Sequence, residues 1–167
     1  MPPAPQTSPS RGDAAGALPD WLAHAEHPEN GQATGSGAIA RAVQDAAVRA
    51  TAAVGLGAIA VIHAVDSVGK WTETRYLFWV YMALIVACVV TAAAVLFFHR
   101  SRTALLAAAA LAGSVIAAYV VDRTFGLPNA TADIGNWLEP LGLASLVVEG
   151  FVVAVGLGGF LAARGRG

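Results

Sequence analysis

Residues 139–162 read Glu139-Pro140-Leu141-Gly142-Leu143-Ala144-Ser145-Leu146-Val147-Val148-Glu149-Gly150-Phe151-Val152-Val153-Ala154-Val155-Gly156-Leu157-Gly158-Gly159-Phe160-Leu161-Ala162. From Leu141 onward only Glu149 can carry a charge. A run of roughly 20 apolar residues is long enough to cross a bilayer as a helix. Pro140 suits the first helical position, and Glu139 before it favours the positive end of the helix dipole. A carboxylate inside such a span costs about 2.5–3.5 kcal/mol on insertion scales, so Glu149 needs a partner, a proton or a wet cavity. At helical spacing Gly142, Ser145, Glu149, Val152 and Gly156 form one small, polar stripe, which is expected to face inward.

The rest of the chain has the same character. Of 167 residues, 56 % are hydrophobic and 13 % charged, and the mean hydropathy is +0.61. That is too apolar for an ordinary soluble domain. A net charge of −1 excludes a nucleic-acid partner, because no basic patch exists to neutralise phosphates. Cys88 is the single cysteine, so disulfides and multi-cysteine metal sites are excluded. Nine arginines against one lysine, with abundant Ala and Gly, resemble the output of a GC-rich bacterial genome.

Three further apolar runs precede the quoted one, and the spans are placed at about 48–68, 76–98, 103–121 and 140–162. The prediction is an all-α fold, a four-helix transmembrane bundle with antiparallel up-down order, over residues 37–167. Residues 1–36, rich in Pro, Gly, Ser and Ala, are expected to be a disordered cytoplasmic tail without a secretory signal peptide. His24 and His27 there make a weak metal site at best. Gly35-Ser36-Gly37 is expected to break the chain before the first helix, with Ser36 as N-cap. Arg41, Asp45 and Arg49 then form one charged stripe. Ala53, Gly57, Ala60 and Ala64 in the first span, and Ala83, Ala87, Thr91 and Ala94 in the second, are the expected small packing faces. Gly69–Arg75 and His99–Arg102 are expected to be short connections, and the aromatic cluster Tyr76, Phe78, Trp79 and Tyr81 marks a membrane interface. Six arginines flank the spans on the side of the termini, against Lys70, Arg75 and Arg123 on the other. That bias predicts cytoplasmic N- and C-termini in a plasma membrane.

The polar residues define a candidate site. Glu149 lies nine residues after Pro140, about 14 Å along its helix, and His63 about 8 Å from the outer end of its own. Both fall in the outer half of the membrane, with Asp66, Tyr119, Asp122 and Arg123 above them and Ser145 one turn from Glu149. A direct His63–Glu149 pair is geometrically allowed. It predicts non-additive losses when both are replaced. His63 and Glu149 are also the weak candidates for a metal. No cofactor is identified by any motif. No phosphate loop or nucleophile elbow is present, and Asn129-Ala130-Thr131 is a sequon of no further consequence.

His63, Trp71-Thr72-Glu73, Arg123-Thr124-Phe125-Gly126-Leu127-Pro128, Glu139-Pro140-Leu141-Gly142 and then Glu149 occur in an order that resembles a family of small four-span bacterial membrane proteins, largely uncharacterised. The resemblance covers about residues 48–163. Arg-Thr-x-Gly-Leu-Pro and Glu-Pro-x-Gly are its most specific elements. Similar sequences place a second His where this chain has Ser67. The resemblance implies the four-span architecture and an outer loop motif of Trp71, Glu73, Gly126, Pro128, Trp137, Glu139 and Pro140, but no established activity. Two function classes follow from the residues. One is a non-enzymatic structural or accessory component, with the lipid bilayer and a homo-oligomer or membrane complex as partners. The other is a proton- or metal-linked transport or redox component with a polar site between the first and last spans.

Overall fold

The computed structural model describes residue 1, residues 28–98 and residues 102–165, with side chains from residue 35 onward in the first helix. The described residues form four helices, α1 (Pro28–Glu73), α2 (Arg75–Phe97), α3 (Arg102–Phe125) and α4 (Pro140–Arg164), and among them one 3-10 turn at Thr131–Asp133. All four are long and apolar enough to cross a membrane. Residues 2–27, with His24 and His27, residues 99–101 and residues 166–167 lie outside the described residues.

Two compact units divide the chain, residues 1–41 and 42–167. In the first, the backbone is helical from Pro28, so Gly35-Ser36-Gly37 lies inside α1 and Ser36 does not cap it. Each glycine costs about 1 kcal/mol in a helix, and a cooperative Ala-rich helix absorbs that cost. Arg41 Nε donates to the Gly37 carbonyl at 2.9 Å, within the same unit.

The second unit is the bundle. α1 and α3 are longer than expected at their C-terminal ends. α1 continues to Glu73, leaving Thr74 as the single non-helical residue before α2, and α3 runs to Phe125, so Asp122 and Arg123 are helical. The up-down order appears in the contacts. Arg49 Nη1 donates to the Val95 carbonyl at 3.2 Å, and Tyr81 Oη to Asp66 Oδ2 at 2.9 Å. Partner numbers fall along α2 as they rise along α1, which is an antiparallel pair. A Cβ at Gly55 would fall against Val152, and one at Gly159 against Val48, so α1 and α4 are antiparallel too.

Burial follows a helical stripe on each element. On α1 it takes Ala52, Leu56, Ile59, Ala60, His63 and Ser67. On α4 it takes Ser145, Glu149, Val152 and Gly156, four of the five residues of the expected stripe. The small faces expected on α1 and α2 are kept only in part: Ala60 is buried and Ala94 packs against the core, and the rest turn partly away. Gly57 and Ala64 are exposed, and the close approach is made by Gly55. On α2 the buried residues are Leu77, Cys88 and Val95, while Ala83 is exposed. The reason is that larger side chains, Leu56 and Ile59 above all, set which face goes inward, and the small residue beside them is then used. Arg49 keeps its expected i,i+4 pairing with Asp45 on the charged stripe, but turns inward. It is buried, holds Asp45 at 2.8 Å, and caps a carbonyl at the C-terminal end of α2, where positive charge is favoured.

The outward faces are apolar. Val86, Val89, Val90 and Phe97 of α2 are all more than half exposed. Such a continuous surface is suited to lipid and not to water. Trp71, Phe78 and Trp79 contact each other edge-on, with Arg75 over the Trp71 ring at 4.8 Å, an amphipathic belt at the outer end.

Candidate functional site

α1 to α4 converge on a cavity of about 390 Å³ at the end of the bundle that carries the α1–α2 and α3–α4 connections. The seven residues singled out in the sequence, His63, Asp66, Tyr119, Asp122, Arg123, Ser145 and Glu149, all line it. Each is there because the inward stripe of its helix passes through it.

At the floor, Glu149 is 1 % exposed. Ser145, one turn earlier on the same face, donates from Oγ to Glu149 Oε1 at 2.5 Å. Glu149 Oε2 is buried and has no hydrogen-bond partner. Across from it, His63 Nδ1 lies 2.9 Å from the Ile59 carbonyl. A carbonyl only accepts, so Nδ1 carries the proton and Nε2 of the neutral ring is left as an acceptor. The Tyr81 ring meets the imidazole edge-on at 5.1 Å, and its hydroxyl holds Asp66. The pairing that the spacing allows is not formed: no hydrogen bond or ion pair joins His63 to Glu149 among the described residues. The local i−4 carbonyl holds the imidazole, and Ser145 serves the carboxylate instead.

The mouth is an ionic ring around Arg123, whose side chain is 8 % exposed. Its Nη1 lies 2.8 Å from Asp133 Oδ1 and 3.7 Å from Asp122 Oδ2, its Nη2 3.6 Å from Glu139 Oε2, and the guanidinium lies over the Tyr119 ring at 5.0 Å. Lys70 reaches Asp133 at 3.7 Å and Glu73 at 3.4 Å. Glu139 also caps α4, accepting from the Leu141 and Gly142 amides at 3.1 and 2.7 Å. One carboxylate thus satisfies two orphan helix donors and one cation.

The remaining loop-motif residues shape the outer connection. Gly126 has φ +76°, and a Cβ there would lie 3.0 Å from Ile134 Cδ1, so both backbone and space require glycine. The Pro128 carbonyl accepts from Tyr76 Oη at 2.7 Å, and the Trp137 carbonyl from Tyr119 Oη at 3.2 Å. Pro140 opens α4, Glu73 holds Lys70, and Trp71 is exposed. Of this motif only Glu139 lines the cavity. Lys70, Tyr81 and Asp133 line it too and were missed. By position Lys70 belongs to the expected Gly69–Arg75 connection and Tyr81 to the interface aromatics, and no local pattern marks Asp133. An isolated phenol one turn inside an otherwise apolar span was the available signal.

Among the described residues, no group of three or more His, Cys, Asp or Glu is placed to hold a metal ion. His63 and Glu149 together offer too few donors for one. No protein-family model, no curated protein and no solved structure matches the chain. Fold and site together define a class: a small multi-pass helical membrane protein with a half-enclosed polar cavity between its helices.

Whether Glu149 holds the bundle together is measurable. Ser145→Ala strands the carboxylate and is expected to cost about 1–3 kcal/mol. Glu149→Leu removes the desolvated group outright and is expected to leave stability unchanged or to raise it by about 1 kcal/mol or more. Unfolding in mixed detergent–SDS micelles reads both. A larger loss from Glu149→Leu than from Ser145→Ala would make the carboxylate a packing element.

Proposed function

We propose that the protein is a non-enzymatic membrane component that takes up a proton or small cation at Glu149 from the outer side. One observation carries this reading: a carboxylate 1 % exposed, with one oxygen unpartnered, at the floor of a cavity. Such a group is expensive in a bilayer, and packing alone gives no reason to keep it. The titratable neighbours that reach it are His63 from α1 and Cys88 from α2. The lining carries Asp66, Asp122, Asp133, Glu139 and Glu149 against Lys70 and Arg123, an excess of negative charge that favours cations.

The outer ring supports a structural role for the loop itself. Its charges are paired with each other, and they come from the Arg-Thr-x-Gly-Leu-Pro and Glu-Pro-x-Gly elements together with Asp133. That supports reading these motifs as the mark of one four-span family. The arginine bias supports cytoplasmic termini in a plasma membrane, with the bilayer as principal partner.

Proteoliposomes with an internal pH dye and an imposed potential test the function. Proton entry is expected in the wild type and should fall at least about tenfold in Glu149→Gln. Equal entry in both, or none in either, would overturn the proton reading. Orientation is read separately in a Cys88→Ala background. An impermeant thiol reagent should label Thr131→Cys in intact cells and spare Ser101→Cys; the reverse pattern inverts the topology.

A further inference from the structure

We propose that the cavity binds a small organic ammonium ion, its head group on Glu149 and its hydrocarbon part against the apolar wall of the same level. The proposal rests on the reading of Glu149 as a cation or proton site, and it goes further by naming the ligand class.

The charge distribution is the first argument. Both lining cations are already engaged at the mouth, Lys70 with Asp133 and Glu73, Arg123 with Asp133, Glu139 and Asp122. Neither forms an ion pair with Asp66 or Glu149. Asp66 has the Tyr81 hydroxyl, and Glu149 has Ser145 on one oxygen only. The floor of the cavity therefore holds the Glu149 carboxylate with no lysine or arginine paired to it, while Asp66, nearer the mouth, accepts from the Tyr81 hydroxyl. A buried carboxylate is stabilised by a charge-assisted hydrogen bond more than by a neutral one. An ammonium group donates up to three such bonds, and the Glu149 carboxylate accepts them, as does Nε2 of a His63 ring whose Nδ1 carries its single proton.

The second argument is shape and polarity. The same helical turns that carry His63, Tyr81 and Ser114 also turn Ile62, Val80, Leu84 and Val115 to the cavity. A volume of about 390 Å³ exceeds the roughly 30 Å³ share of a single water many times over. It lies in the range of sites for small organic molecules, which are mostly apolar with a few placed polar groups. A divalent metal fits poorly. Calcium takes six to eight oxygen ligands, whereas the floor offers one free carboxylate oxygen and one imidazole nitrogen. A hydrated inorganic cation gains nothing from the aliphatic wall. An alkyl or aryl ammonium uses both features.

Isothermal titration of the full chain in nanodiscs, with phenethylammonium as probe, tests this. Empty nanodiscs correct for partition into lipid, and neutral phenethyl alcohol is the uncharged control. The expected result is saturable binding of the ammonium compound to the wild type. The alcohol should bind at least about tenfold more weakly, as should the ammonium compound to Glu149→Gln. The comparison of the two probes needs no variant, so a folding defect cannot mask the outcome. Heat no greater than in empty nanodiscs overturns the proposal, as does equal binding of the alcohol, or saturable binding of calcium or zinc chloride in place of the amine. Absent amine binding with intact proton entry removes this inference alone. Amine binding without proton entry removes the proton reading and leaves the ammonium site. Loss of both removes the functional reading of Glu149.

Discussion

Arg123→Ala is expected to destabilise the bundle by about 3 kcal/mol, because it leaves partly buried carboxylates facing one another without their cation. Asp122, Asp133 and Glu139 come from the end of α3, the 3-10 turn and the N-cap of α4, and the guanidinium is the group they share. Its removal strands Asp133, loosens the outer connection, and sets Asp122 and Asp133 against each other. Partial exposure of the carboxylates keeps the loss below that of a fully buried ion pair. Arg123→Lys keeps the charge but not the planar fork that reaches separate partners, and about half the loss is expected to remain. Combining Arg123→Ala with Asp133→Ala should cost less than the two single losses added. Unfolding in mixed micelles measures the energies, and proteolysis between Gly126 and Glu139 reports the connection. Wild-type stability in both single variants at position 123 would show that the ring does not hold the loop.

Gly156→Leu should be as damaging, by a different route. A Cβ at Gly156 would lie 2.7 Å from the Leu105 carbonyl oxygen and 3.1 Å from the Ala109 amide nitrogen. Both are backbone atoms of α3, so relief requires the two helices to move apart. Gly156→Ala is expected to cost about 1–3 kcal/mol, and Gly156→Leu more than that. Gly158 supplies the opposite case two residues on. Nothing lies within 4 Å of a Cβ there, so Gly158→Ala should be neutral or stabilise by up to about 1 kcal/mol through helix propensity alone. The same unfolding assay reads all three variants. A sign shared by Gly156→Ala and Gly158→Ala would mean that α3 and α4 do not pack as closely as described.

Both predictions rest on contacts of different legibility. The Gly156 stripe could be read directly, because Ser145, Glu149, Val152 and Gly156 repeat at helical spacing inside an apolar run. The ring around Arg123 could not. Lys70 and Asp133 lie 53 and 10 residues from Arg123 by number, and no local pattern joins them.

What the sequence determined by itself was the number of spans, their antiparallel order and the level of each polar group, since length, apolarity and helical rise are local properties. It also placed seven lining residues, because each is the exception on an inward apolar stripe. Only the tertiary structure decided which of these groups touch. Gly55 and not Gly57 meets α4, Arg49 turns in to cap α2, and Ser145 instead of His63 serves Glu149. Each outcome depends on how far a helix is rotated about its axis. That rotation is set by packing between residues distant in the chain, which no single segment encodes.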